Sequence, residues 1–179
     1  MPFAYYDNLS PVERLVYDVS DGRRAIRLPR PEQFHPQVEE VREALEGDRR
    51  VALQRATSRL CNALFEALGV RRVVVEVLEV RPSDPESELH GLYTLQPGKR
   101  PRIQVWMRTA KHARVVKFRT FLRTVLHEAC HHLDLELLGL PLSFHTEGFF
   151  KRETSLFWQL VPRGPTSRRA SGEGSERNV

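Results

Sequence analysis

The residues best suited to chemistry lie between Thr124 and Asp134, where the chain reads His127-Glu128-Ala-Cys-His131. On a helix, positions i and i+4 share one face, about one turn apart. Two imidazoles placed that way can hold one Zn²⁺ at about 2.0–2.1 Å each. Glu128 follows the first histidine, so its carboxylate can reach a metal-activated water and act as general base without being a ligand. A catalytic zinc usually takes three protein ligands and leaves a fourth position open. His145 is the first choice for the third. It follows a loop long enough to fold back, and it precedes a second helical pattern. Glu147 and Glu153 are the alternatives, because some H-E-x-x-H proteins draw a glutamate from the next helix. Metal-bound histidines usually donate their other N–H to a carboxylate or carbonyl. Asp134 stands near the same stripe and could serve that purpose. His132 is one step off the stripe and reads as structural or surface. Cys130 points about 100° away and is not a ligand candidate.

These residues need a helix to present them. Val115, Val116, Phe118, Leu122, Val125, Leu126, Ala129, Leu133 and Leu137 recur at mixed helical steps, which predicts a largely buried helix from Val115 to Leu138. Gly139 and Pro141 stop it. Left unpaired on a buried helix, two histidines and a glutamate would cost several kcal/mol to desolvate. The plainer alternative is a pair of satisfied core histidines beside a surface glutamate. Beyond the loop, Phe149, Phe150, Leu156, Phe157 and Leu160 mark a C-terminal helix.

Strand signals precede the motif helix. Arg72–Val80 is rich in β-branched residues, Leu89–Leu95 is a second strand, and Arg102–Thr109 alternates as a third. The Gln96-Pro-Gly98 turn makes the last two a hairpin. A sheet edge across the cleft could receive an extended peptide by main-chain hydrogen bonds. Tyr93, His90 and His112 are candidates to stabilise an oxyanion, and each has a plainer reading as a packing or surface residue. Further upstream, Ser10-Pro11-Val-Glu13 predicts a short capped helix through Val16 or Tyr17, with a turn at Asp21-Gly22. Gln37–Leu68 reads as two helices parted near Gly47, because glycine costs about 1 kcal/mol against alanine inside a helix. The fold class expected is α+β: N-terminal helices, a short three-stranded or larger sheet, the motif helix and a C-terminal helix. Residues 1–161 are expected to form one domain. The stretch 162–179 has almost no apolar residue and is expected to be a disordered tail.

At 40% hydrophobic, the 179 residues suffice for one modest core. No run is long enough to cross a bilayer, and no secretory signal is visible. Cys61 and Cys130 each sit in a helical pattern and read as small buried hydrophobes, which points to the cytoplasm. Without paired Cys-x-x-Cys motifs there is no zinc ribbon. The net charge is +5, and no acidic residue occurs between Glu88 and Glu128. That stretch holds Lys99, Arg100, Arg102, Arg108, Lys111, Arg114, Lys117, Arg119 and Arg123. Such a block suits nucleic acid or an acidic substrate; it equally suits a solvated face that keeps the chain soluble.

With His127-Glu128-x-x-His131 and the downstream His145-Thr-Glu-Gly-Phe149, the chain resembles the SprT-like zinc metallopeptidases. Those proteins carry two histidines and a glutamate on a helix, then a third histidine followed one helical turn later by phenylalanine. The specific part of the likeness runs from Leu126 to Phe150. It implies a zincin-like fold, zinc on His127, His131 and His145, Glu128 as general base and acid, and hydrolysis of a protein or peptide substrate. This chain has Thr146 where the family often has glycine, and it lacks the zinc ribbon of many members. Some relatives act on DNA-bound proteins, which would suit the basic block by analogy. Two other functions fit the residues: a basic nucleic-acid-associated protein with a structural metal or none, and a metal-dependent hydrolase of a non-peptide substrate.

Overall fold

The residues that form the motif helix are held between a small sheet and a second helix. A computed structural model describes residues 3–83 and 88–161. The tail expected at 162–179 lies outside the described residues, as does most of the Pro82–Glu88 linker. The architecture is mixed α+β, with five α-helices and a three-stranded sheet among the described residues.

A 3₁₀ turn over Ala4–Asn8 leads into α1, Pro11–Gly22. The Ser10–Glu13 capping box forms as the sequence suggests: Glu13 N–H donates to Ser10 Oγ at 3.3 Å, and Ser10 N–H to the Glu13 carboxylate at 2.8 Å. The helix nevertheless runs past Tyr17 and takes in Asp21-Gly22. Its last turn is fixed by long-range contacts. Gly148 N–H donates to the Asp21 carboxylate at 2.9 Å, and a Cβ at Gly148 would stand 2.4 Å from the Asp21 carbonyl oxygen. Only glycine lets the start of the last helix approach this closely.

Helices α2, His35–Glu46, and α3, Arg50–Ala67, are parted at Gly47, as expected. The strands are β1, Val74–Val80, β2, Gly91–Thr94, and β3, Arg102–Arg108. Their order is β1-β3-β2, with β1 parallel to β3 and β2 antiparallel to it. Val77 pairs with Val105, and Gly91 pairs with Val105 from the other side. One face of the sheet sends Val75, Val77, Ile103 and Val105 into the core. Between them, Glu76 meets Gln104 and Arg102 on the polar side. This alternation suits a sheet covered by helices on one face.

Helix α4, Phe118–Glu136, packs on β2 and β3, and α5, Glu147–Leu160, packs on α4. Phe121, Leu122, Val125, Leu126 and Leu133 of α4 are buried with Phe65 of α3 and Phe157 of α5. Each such side chain contributes about 1.5–3 kcal/mol through its removal from water. The burial locks the rotation of α4, and with it the direction in which the opposite stripe points. β2 is an edge strand, and it is the edge that lies beside α4. Among the described residues, no helix is long and apolar enough to cross a membrane.

Candidate metal centre

Fixing the core face of α4 turns His127 and His131 to one half-buried stripe, and the α4–α5 loop brings His145 over them. His145 Nε2 lies 3.0 Å from His127 Nε2 and 3.1 Å from His131 Nε2. These three histidines are the one group of possible metal ligands that comes together among the described residues.

Hydrogen bonds on the far side of two rings decide their tautomers. His127 Nδ1 lies 3.3 Å from the Glu153 carboxylate, an acceptor, so Nδ1 carries the proton. Ser143 Oγ donates to Asp134 Oδ2 at 2.8 Å, so it accepts from His131 Nδ1, also at 2.8 Å. Both rings therefore present a bare Nε2 lone pair toward His145. Neutral lone pairs this close repel unless a cation or a proton lies among them. In a tetrahedral zinc site with Zn–N near 2.0–2.1 Å, neighbouring nitrogens stand about 3.3 Å apart. The donor type, the tautomers and the spacing all fit such an ion. Burial, together with the two neighbouring histidines, lowers the His131 pKa to about 3, so this ring resists taking the proton itself.

The shell behind the histidines is dense. Phe149, fully buried, sets its ring beneath all three imidazoles, with centroids 4.9, 4.8 and 5.1 Å from those of His127, His131 and His145. Arg123 donates to Glu153 at 2.9 Å. Asp134 and Arg152 are both fully buried and paired at 2.8 Å, and Arg152 also reaches the Ser20 carbonyl at 2.6 Å. This chain of contacts links His131 through Ser143 and Asp134 to the end of α1. Tyr5, near the N-terminus, donates its hydroxyl to the His145 carbonyl at 2.9 Å.

Glu128 lies on the β2 side. Its carboxyl packs against Gly91 so closely that a Cβ there would stand 2.4 Å from Oε1. Burial pushes its pKa up to about 7, while His127 and the Tyr93 backbone N–H act in the opposite direction. Gly91 is thus a site residue that no local pattern marks, because the contact joins a strand to a helix far along the chain.

The remaining candidates stand outside the three-histidine cluster. Glu153 stands behind His127 rather than within the histidine cluster, and Glu147 pairs with Lys151 at the surface. His132 is buried and structural. Its Nε2 donates to the Arg71 carbonyl at 2.8 Å, so its Nδ1 accepts the Tyr93 hydroxyl at 3.1 Å. That commitment takes the Tyr93 O–H away from an oxyanion role. His90 is exposed, stands beside Glu88 and lines the cleft that also holds Gly91, His127 and Glu128, whereas His112 is exposed in the β3–α4 loop and lines neither of the clefts that flank the cluster. Cys61 and Cys130 are buried free thiols. Of the basic block, Arg102, Arg108 and Arg123 are each engaged by a carboxylate, and the other cations are spread over the β2–β3 turn, the β3–α4 loop and the start of α4.

A scan of protein-family models, a search of curated proteins and a search of solved structures each gave no match to this chain.

Proposed function

We propose that this chain is a zinc-dependent metallopeptidase of the zincin type. The observation that carries the reading is the convergence of three imidazole Nε2 atoms, two with assigned lone pairs, beside the buried carboxyl of Glu128. His127, His131 and His145 would hold the ion. Bound there, zinc supplies Lewis acidity toward a carbonyl and acidifies water.

The rest of the chemistry falls to the chain. Glu128 takes the proton of the attacking water and later returns it to the leaving amine. Gly91 and the Tyr93 N–H fix the carboxyl for that exchange. The outer edge of β2 lies beside the histidines, and an edge strand offers main-chain hydrogen bonds to an extended peptide. This edge favours a peptide over a small non-peptide substrate.

The test is Glu128→Gln beside His127→Ala, each assayed for zinc content and for cleavage of a mixed peptide pool. Glu128→Gln should keep its zinc and lose about 10²–10⁴ in turnover, the usual reach of general acid–base catalysis. His127→Ala should lose both. Undiminished turnover by Glu128→Gln protein would sink the mechanism.

A further inference from the structure

The histidine cluster has a cleft on either side, and the two differ in charge. One is lined by Leu92, Tyr93 and Ser143 together with the cluster. The other, about 420 Å³, shares Gly91, His127 and Glu128 with the first and adds His90, Arg119, Thr120, Arg123, Thr124 and Glu153. Its volume suits one or two substrate residues, being at the small end of ligand cavities.

The cations in this second cleft are not equivalent. Arg123 is committed to Glu153 at 2.9 Å. Arg119 has no carboxylate within ion-pair distance among the described residues. Its guanidinium lies over the rings of Phe157 and Trp158, 5.2 and 5.1 Å from their centroids. A cation seated against two aromatic rings is held in place by them, while its N–H groups keep no carboxylate partner and can meet an anion. The polarity of α4 acts in the same sense. Its first turn, which includes Arg119 and Thr120, carries no side-chain cap, and the partial positive charge of a helix start favours an anion nearby.

We propose that this cleft is a substrate subsite selective for a carboxylate, with Arg119 as its specificity-determining residue. This deepens the peptidase reading and rests on it. A chain lying along β2 with its scissile bond at the histidines would place a neighbouring residue in the cleft, since an extended residue spans about 3.3–3.6 Å. The carboxylate could be an Asp or Glu side chain or the substrate's own C-terminus; the guanidinium edge suits both.

Binding can be separated from cleavage with full-length, zinc-loaded Glu128→Gln protein. The probes are fluorescent alanine-rich pentapeptides, amidated at the C-terminus and carrying one Glu, Gln or Lys at each position in turn, plus the Gln series with a free C-terminus. Fluorescence anisotropy should show the Glu or the free-carboxylate series binding about fivefold tighter than amidated Gln peptides, an effect of the size expected for a partly exposed ion pair. A preference confined to internal Glu assigns a side chain; one confined to the free terminus assigns the C-terminus. Arg119→Ala should abolish the preference, and Arg119→Glu should reverse it toward Lys. Equal binding of all peptides, or a preference that survives Arg119→Ala, overturns the subsite and leaves the peptidase reading standing. Arg119-dependent binding with no cleavage of the same peptides by wild-type protein overturns the peptidase reading and leaves a carboxylate site. No binding of any peptide overturns both.

Discussion

His127 and His131 stand on α4, a helix whose other face carries Leu122, Leu126 and Leu133 into the core, whereas His145 stands on a loop and is more exposed than either. The helical pair inherit their positions from the burial of the whole element. Each also has a hydrogen-bonded partner on its outer nitrogen, Glu153 for one and Ser143 for the other. His145 depends on Thr146 capping α5, on the ring of Phe149 and on the Tyr5 hydroxyl. The difference separates two ways of positioning a ligand. A helix spends core packing on it, so loss of one contact is shared across many. A loop relies on a few contacts, each of which counts.

Removing one ligand from each half should expose the contrast most strongly. In His131→Ala the surviving pair would be His127 and the loop histidine, and metal binding should fall below detection in titrations against a competing chelator. In His145→Ala both helical rings remain oriented, so binding should weaken but stay measurable, with one more position open to water. Equal losses in the two variants would break the comparison. Smaller effects should follow from the partners behind the rings. Glu153→Ala frees the His127 ring and leaves Arg123 unpaired, and a loss near the upper part of the usual 10–100-fold range is expected. Ser143→Ala should fall near the lower part, because Asp134 stays fixed by Arg152. Reversal of that order would mean that the neutral relay, rather than the charged partner, holds the site.

The same contrast governs what could be read before the structure. The motif on α4 is legible because its spacing is local, and the apolar residues around it predict the burial that orients it. His145 is legible from its place between a helix stop and a phenylalanine one turn on. Glu153 is legible as a residue that could reach the site but not in its role. Whether a carboxylate joins the histidine cluster or meets the back of one ring depends on the distance between α4 and α5, which no local pattern states. Asp134 is legible as a carboxylate that could orient a histidine of the motif, and it reaches His131 through Ser143, an intermediary on the loop that sequence spacing does not reveal. The end of α1 is not legible for a similar reason: Asp21-Gly22 carries a turn signal, and its helical form is fixed by Gly148 and Arg152 from far along the chain. Tertiary contact overrode local propensity there.

The smallest effect sharpens the comparison most. Tyr5→Phe removes one hydroxyl and keeps the ring, so its packing against Tyr17 and Phe144 is retained. The lost hydrogen bond to the His145 carbonyl is part of an exposed contact, and it should be worth no more than about 1 kcal/mol, or roughly fivefold in zinc affinity. A zinc titration of this variant in the His145→Ala background supplies the control. If Tyr5 acts through the loop histidine, its removal should change nothing once that histidine is gone. A cost that persists in the double variant would show that the N-terminal segment supports the helical pair as well, and the two halves of the site would then share a foundation that their geometry does not suggest.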